Sequence, residues 1–345
     1  MNIKVSSIAL AVGLLAGPCW AQSSVTLYGL VDMGFVHESG GVNGASVNKL
    51  TSGISAGSRL GFRGLEDLGG GLSAIFTLEM GINADTGSIG QGGLGFGRQS
   101  FVGLQGDFGS VLLGRQYTPV AFIQTETDPF YTGLAGDSAN LISPGGAGGN
   151  NRMDNTVRYT YTATNGLTAD IVYGFGEVAN NNSAKRQYGG AVGYVSGPVY
   201  VKLGYHNVND ANGVPGKVTY LGAMYDFGVA KAHFNYVVNK GDSVFGIVNP
   251  DSRDVLLGVS VPYGVGRFMA SYIRKEDWTS ANLSANQIAL GYTYYLSKRT
   301  SFYTSIARIH NNALAGAATG FYRVGNATEQ GSGSRAFNVG IRHTF

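Results

Sequence analysis

Residues 25–37 read Val-Thr-Leu-Tyr-Gly-Leu-Val-Asp-Met-Gly-Phe-Val-His, so that Val25, Leu27, Val31, Met33 and Phe35 share one face and Thr26, Tyr28 and Asp32 the other. Alternation with period two is the mark of a β-strand that has one apolar and one wet side. The pattern returns at residues 58–64, where Arg59 and Arg63 oppose Leu60 and Phe62, and at 72–79, where Leu72, Ala74, Phe76 and Leu78 oppose Ser73, Thr77 and Glu79. It continues at 96–105, with Arg98 and Ser100 opposite Gln99 and Phe101, at 287–296, and at 337–345, which ends the chain on Phe345. Residues 267–276 and 301–311 are strand-like but do not declare which face is apolar. Short turn signals recur at Gly69, Phe108-Gly109, Asn165-Gly166, Gly197-Pro198, Phe227-Gly228, Gly264-Val265-Gly266 and Lys298-Arg299. Each interval between them holds two strands of roughly ten residues and one longer loop. Seven turns separate eight hairpins, which predicts sixteen strands.

One interval, from Phe108 to Asn165, is clearly longer than its neighbours. It contains residues 118–151, which follow the strand-like run 111–117, carry Pro119, Pro129, Pro144 and a glycine-rich stretch at 145–149, and show no sustained periodicity. A loop of this length inside a folded chain is functional or disordered. The expectation here is a loop folded into the cylinder formed by everything else, narrowing its bore. Composition agrees with a cylinder in a membrane: 13% charged residues, 55 glycines, 20 tyrosines and 17 phenylalanines stand beside a mean hydropathy of +0.02. In a membrane barrel alternate residues face lipid, aromatics form interfacial girdles, and polar loops return the average hydropathy to zero. Beyond the N-terminus there is no apolar run long enough for a spanning helix. The predicted fold is all-β, a 16-stranded antiparallel transmembrane barrel forming a single domain over 22–345. The last strand must pair with the first, because an open sheet edge is not tolerated in lipid.

The N-terminus reads as a leader. A basic start through Lys4, an apolar run at 8–17 and Cys19-Trp20-Ala21 before Gln22 match a cleaved secretory signal peptide over residues 1–21. Cys19 is the one cysteine of the chain, so the mature protein would have no disulfide, thiol nucleophile or thiolate metal site. The formal charge of +3 is too small to argue for a nucleic-acid partner. His37, His206, His233, His310 and His343 are scattered singly, and no Gly-x-Ser-x-Gly occurs. Neither a metal, nor another cofactor, nor an enzymatic activity is expected.

Several stretches together resemble the general porins of Gram-negative outer membranes, in particular their beta-proteobacterial branch. They are Ser24-Val25-Thr26-Leu27-Tyr28-Gly29, Ser58-Arg59-Leu60-Gly61-Phe62-Arg63-Gly64 followed by Glu66-Asp67-Leu68-Gly69-Gly70-Gly71-Leu72, Leu113-Gly114-Arg115-Gln116-Tyr117, Asn155-Thr156-Val157-Arg158-Tyr159, and Phe345. The resemblance spans nearly the whole mature length. It implies a sixteen-stranded barrel, a homotrimer set in outer-membrane lipid and lipopolysaccharide, and a water-filled channel for ions and small hydrophilic solutes. By position Arg59, Arg98 and Arg152 look like the family's arginine cluster, with Arg63 and Arg115 on what read as inward registers. Where enteric relatives carry a Pro-Glu-Phe-Gly-Gly-Asp core in the long loop, this chain has Pro129-Phe130-Tyr131-Thr132-Gly133 and then Asp137, so the glutamate opposite the arginines is missing.

Crowded guanidinium groups in a narrow, low-dielectric passage raise its potential and lower the barrier for anions. Glu126, Asp128 and Asp137 either face that wall from the loop or pin the loop by accepting backbone N–H groups. An anion-preferring diffusion channel is the expected function, with inorganic anions among its solutes. A solute-specific channel and a surface adhesin or receptor are the rivals. For the trimer the sequence adds glycines such as Gly103, read here as lying on the lipid face.

Overall fold

The computed structural model describes residues 23–142, 151–241, 251–280, 282–312 and 322–345. The leader expected at 1–21 and the glycine-rich stretch at 145–149 lie outside the described residues. In chain order the strands are β1 (Ser24–Ser39), β2 (Val47–Ser52), β3 (Arg59–Gly69), β4 (Leu72–Asn83), β5 (Ser88–Ile89), β6 (Gln99–Gly106) and β7 (Gly109–Tyr117). After helix α1 (Pro119–Thr127) come β8 (Arg152–Thr162), β9 (Leu167–Gly174), β10 (Gln187–Ser196), β11 (Val199–Asn209), β12 (Pro215–Asp226) and β13 (Lys231–Gly241). The last five are β14 (Asp251–Tyr263), β15 (Gly266–Asp277), β16 (Ala285–Tyr295), β17 (Thr300–Asn311) and β18 (Arg335–Thr344).

β2 and β3 are two segments of one stave. The far half of β1 pairs with β2 (Met33 opposite Ser52) and its near half with β3 (Leu30 opposite Arg59), with residues 53–58 stepping out between them. Among the described residues β5 pairs as a strand only with the end of β4. The barrel therefore has sixteen staves, as the turn signals predict, and all neighbours are antiparallel. It closes where β1 meets β18, from Leu30 opposite Thr344 to Ser39 opposite Arg335, and Phe345 exchanges backbone hydrogen bonds with Gly29 at 3.0 and 3.1 Å. Closure is physically required, since each unsatisfied peptide group in hydrocarbon costs several kcal/mol.

Outward residues form the apolar band: Val102, Ile171, Ile288, Leu290 and Ile306 are each more than half exposed on the isolated barrel. The two stretches without a declared face resolve the same way, Phe268 and Tyr272 of β15 and Phe302 and Ile306 of β17 pointing outward. Inward positions carry buried Asp32 of β1, Ser271 of β15, Gln287 of β16, Ser305 of β17 and Asn338 of β18. Gly103 is a correction. It lies between the outward Val102 and Leu104, so its position belongs to the bore side and not to the lipid face.

Candidate functional site

Residues 118–142 run through the bore. The loop begins with α1, whose N-cap Thr118 accepts the Ala121 N–H through its side chain at 3.1 Å, with Pro119 in the first turn where its missing N–H costs nothing. Val120, Ala121 and Ile123 form the buried side of the helix, which packs against β9 to β13. Room for it comes from two wall glycines. A Cβ on Gly204 would lie 2.6 Å from Ile123 Cδ1, and one on Gly222 would lie 2.4 Å from Ile123 Cγ2. Farther along, the loop bonds to another part of the wall: Leu134 N–H to the Ile54 carbonyl at 2.7 Å, Ala135 N–H to Ser305 Oγ at 2.9 Å, and Asn140 Nδ2 to Gln287 Oε1 at 2.9 Å. Ser305 and Gln287 alternate with the outward Ile306 and Ile288, so these are contacts on the bore side.

Beside the start of this loop, where the Tyr117 and Phe122 ring centres lie 5.6 Å apart, is a cluster built from strand ends. Arg59 opens β3, Arg98 immediately precedes β6, Arg152 opens β8, and Tyr117 closes β7. The Tyr117 hydroxyl accepts from Arg98 Nη2 at 2.8 Å and from Arg152 Nη2 at 2.7 Å, and the Arg152 guanidinium lies 4.5 Å from the tyrosine ring centre. Glu79, on the inward face of β4, accepts from Arg98 Nε at 2.8 Å and from the Tyr28 hydroxyl at 3.0 Å, and stands 3.8 Å from Arg59 Nη1. Three guanidinium groups thus share one carboxylate and one phenol, which keeps them together and leaves the cluster positive. Arg63 is on the inward register, exposed, with its guanidinium 4.2 Å from the Tyr28 ring centre.

Arg115 is a second correction. It lies two residues beyond the outward Leu113 and opposite Ser100, hence on the outward register, and its guanidinium is tied to the Gly97 carbonyl at 2.8 Å and to Asp154. Around the cluster the structure adds Arg158, paired with Asp170, donating to the Tyr117 carbonyl at 3.1 Å and lying 4.8 Å from the Phe122 ring centre. Lys202, opposite Gly222, is a further inward cation.

The three loop acids separate. Glu126 is exposed on α1. Asp128 is fully buried and accepts backbone N–H groups from Phe130 at 2.8 Å, Thr132 at 3.2 Å and Ser138 at 2.9 Å. Asp137 is buried and accepts from Ala139 N–H at 2.7 Å, capping a short 3-10 turn at Ser138–Asn140. Both carboxylates are turned into the loop's own backbone. Burial raises the Asp128 carboxyl above its ordinary range against those three N–H groups. Burial and then the neighbouring Asp128 raise Asp137 well above it, with only Ala139 N–H opposing.

The whole chain can now be set beside known proteins. It matches the Gram-negative porin family over residues 6–314. The chain belongs to that family. Outer membrane porin protein 32 of Delftia acidovorans is 38% identical over 99% of this chain and 100% of its own length. An outer membrane porin protein of Bordetella pertussis is 32% identical over the full length of both. The solved anion-selective porin from Comamonas acidovorans superposes with a TM-score of 0.81 at 33% identity, covering 94% of this chain and 100% of that one. The protein is an outer-membrane porin whose barrel encloses a channel. Sequence reading of this porin missed Glu79, the bridging role of Tyr117, and the Arg158–Asp170 pair. Glu79 was visible as an inward residue of β4, but only the register of β3, β4 and β6 brings it beside Arg98 and Arg59.

Proposed function

We propose that this porin is an anion-preferring diffusion channel, trimeric in the outer membrane, whose narrowest passage lies between the Arg59, Arg98 and Arg152 cluster and the loop 118–151. The observation that carries the reading is charge balance. Three arginines gather around a single carboxylate, Glu79, which touches Arg98 and Arg59, and a phenol, Tyr117, which holds Arg98 and Arg152, while two of the three loop acids, Asp128 and Asp137, are turned into the loop backbone. Only Glu126 of the loop remains exposed, and Arg63 and Lys202 add positive charge on inward registers. Two unit charges 4 Å apart interact by about 4 kcal/mol at an effective dielectric near 20, so one or two uncompensated charges tilt permeability several-fold. Membership of the porin family and the selectivity named for the Comamonas acidovorans relative support the same reading. Inorganic anions and small hydrophilic solutes pass by diffusion, and no catalytic step is assigned to the barrel. The trimer follows from the resemblance to general porins.

Single-channel recording across a dilute potassium chloride gradient tests the reading. The reversal potential should carry the sign of chloride preference, and Arg59→Ser combined with Arg98→Ser should move it toward potassium. A wild-type channel that favours potassium in dilute salt refutes the assignment.

A further inference from the structure

The loop that enters the bore shows the passage very little of itself. Of residues 118–142 only Phe122, Glu126 and Tyr131 are exposed, and two of the three are aromatic. Phe122 is 41% exposed and Tyr131 40%, although every other large apolar side chain of the segment is buried. Rings standing in a water-filled passage forgo the burial that fixes their neighbours. Specific contacts hold them there. The Arg158 guanidinium covers one face of Phe122 at 4.8 Å from the ring centre, and Tyr117 meets the same ring edge-on at 5.6 Å. Arg267 lies 4.7 Å from the Tyr131 ring centre. Tyr131 has a φ of 55°, a left-handed conformation rare for a bulky residue and a form of strain that collects at functional sites. Its turn is kept by the Tyr131 N–H on the Asp128 carbonyl at 2.9 Å and by the Asp128 carboxylate, which accepts from Phe130 and Thr132. Thr125 Oγ1 and Thr132 Oγ1, 3.3 Å apart, join that turn to the helix side that carries Phe122.

Both arginines rise from the short-turn half of the wall. Arg158 is opposite Leu112, nearer the turn at Gly109 than Tyr117 is, and Arg267 stands next to the turn at 264–266. Arg158 is already paired with Asp170, so it steadies the Phe122 ring without adding net charge. The uncompensated charge lies one ring away, because Tyr117 holds Arg98 and Arg152 through its hydroxyl while its ring edge meets Phe122. Positive charge and exposed aromatic surface are therefore neighbours. A solute that uses both has a carboxylate at one end and a flat ring at the other.

We propose that Phe122, with Tyr131 as a second ring, is a specificity-determining surface for aromatic carboxylates. The carboxylate is drawn to the guanidinium groups, and its ring lies offset or edge-on against the uncovered face of Phe122, as aromatic pairs prefer. A saturated anion of the same charge and similar size meets the same arginines but cannot lie flat on the ring. This deepens the anion-channel reading and rests on it: transit remains diffusion, with weak adsorption placing one class of anion ahead of others of equal charge.

Chloride current through single channels of the full chain is titrated with sodium benzoate, sodium cyclohexanecarboxylate and sodium acetate. On wild type, benzoate should lower the current at a concentration about two- to tenfold below that of cyclohexanecarboxylate, the amount one aromatic pair adds beyond its buried area, and acetate should be weakest. Phe122→Leu should bring the benzoate and cyclohexanecarboxylate values together, Phe122→Tyr should keep them apart, and Tyr131→Leu should narrow the gap. Heat-shift electrophoresis identifies the variants whose barrels are folded. Equal potency of benzoate and cyclohexanecarboxylate on wild type, or an unchanged gap in a folded Phe122→Leu channel, overturns the proposal. The reversal potential of wild type in a potassium chloride gradient separates the two readings. Chloride preference without a benzoate gap removes this inference alone, and potassium preference removes both.

Discussion

Glu79 decides how much of the arginine charge reaches the bore. Its carboxylate contacts Arg98 and Arg59, and a neutral amide of the same shape keeps an acceptor for Arg98 while removing one negative charge. Glu79→Gln should therefore raise the chloride preference several-fold in dilute salt, the opposite direction to loss of Arg98, with the barrel intact by heat-shift electrophoresis. An unchanged or reversed shift would mean that the cluster does not face the ions. Two aspartates of the loop, alike in sequence, should behave differently when made neutral. Asp128 accepts three backbone N–H groups, and an asparagine there sets an NH2 against at least one of them, so Asp128→Asn should cost about 1–3 kcal/mol. Asp137 has one N–H partner and a carboxyl raised well above the ordinary range by burial and by Asp128. A carboxyl raised in the folded state makes the fold relatively less stable at pH values where the unfolded chain would ionise it, and that penalty begins to shrink as the pH falls through the folded value and is gone below the ordinary carboxylate range. Asp137→Asn should thus be more heat-resistant than wild type at neutral pH, and the two should converge in acid. Thermal unfolding of both variants across pH checks the pair.

Strands and turns were legible because a barrel wall has to alternate, and all seven predicted turns join consecutive staves. Errors fell where alternation weakens. Gly103 and Arg115 lie in strands whose inward positions include glycines and a leucine, so the apolar side is ambiguous until Val102, Leu104 and Leu113 are seen to be exposed. At strand ends the rule stops altogether, and that is where Arg98, Tyr117 and Arg152 turn together. Helix α1 was missed despite its Thr118-Pro119 start, because its buried side is matched to wall glycines contributed by distant strands. That match gives an element-level prediction. Gly222→Val forces side-chain carbon into Ile123, and overpacking of this kind costs about 1–3 kcal/mol. The helix must leave the wall and move into the passage, so conductance should fall while the sixteen-stave barrel still forms. Wild-type conductance in a folded Gly222→Val channel would mean that the loop is not seated through this contact.

At the scale of the whole molecule, the sheet closes within one chain, with β18 returning to β1, and the loop that enters the bore belongs to that same chain. Assembly is therefore not needed to make the passage. A formal charge of only +3 also means that the field of the complete protein is weak, so any selectivity is local to the cluster around Tyr117. These two points fix what a homotrimer should do. It should hold three separate bores in parallel, each with its own arginine cluster, so one insertion should close in three equal conductance steps. The reversal potential should stay the same as each step is lost, since every bore discriminates by itself. Raising the salt to about 1 M shortens the Debye length to about 3 Å and should reduce the preference in all three to the same extent. Closure in a single step, or a reversal potential that drifts as steps disappear, would show either that the unit is not a trimer of complete channels or that selectivity arises between protomers. Cross-linking of the same preparation before and after heating then distinguishes the two, because a trimer runs as one band that heat converts to monomer.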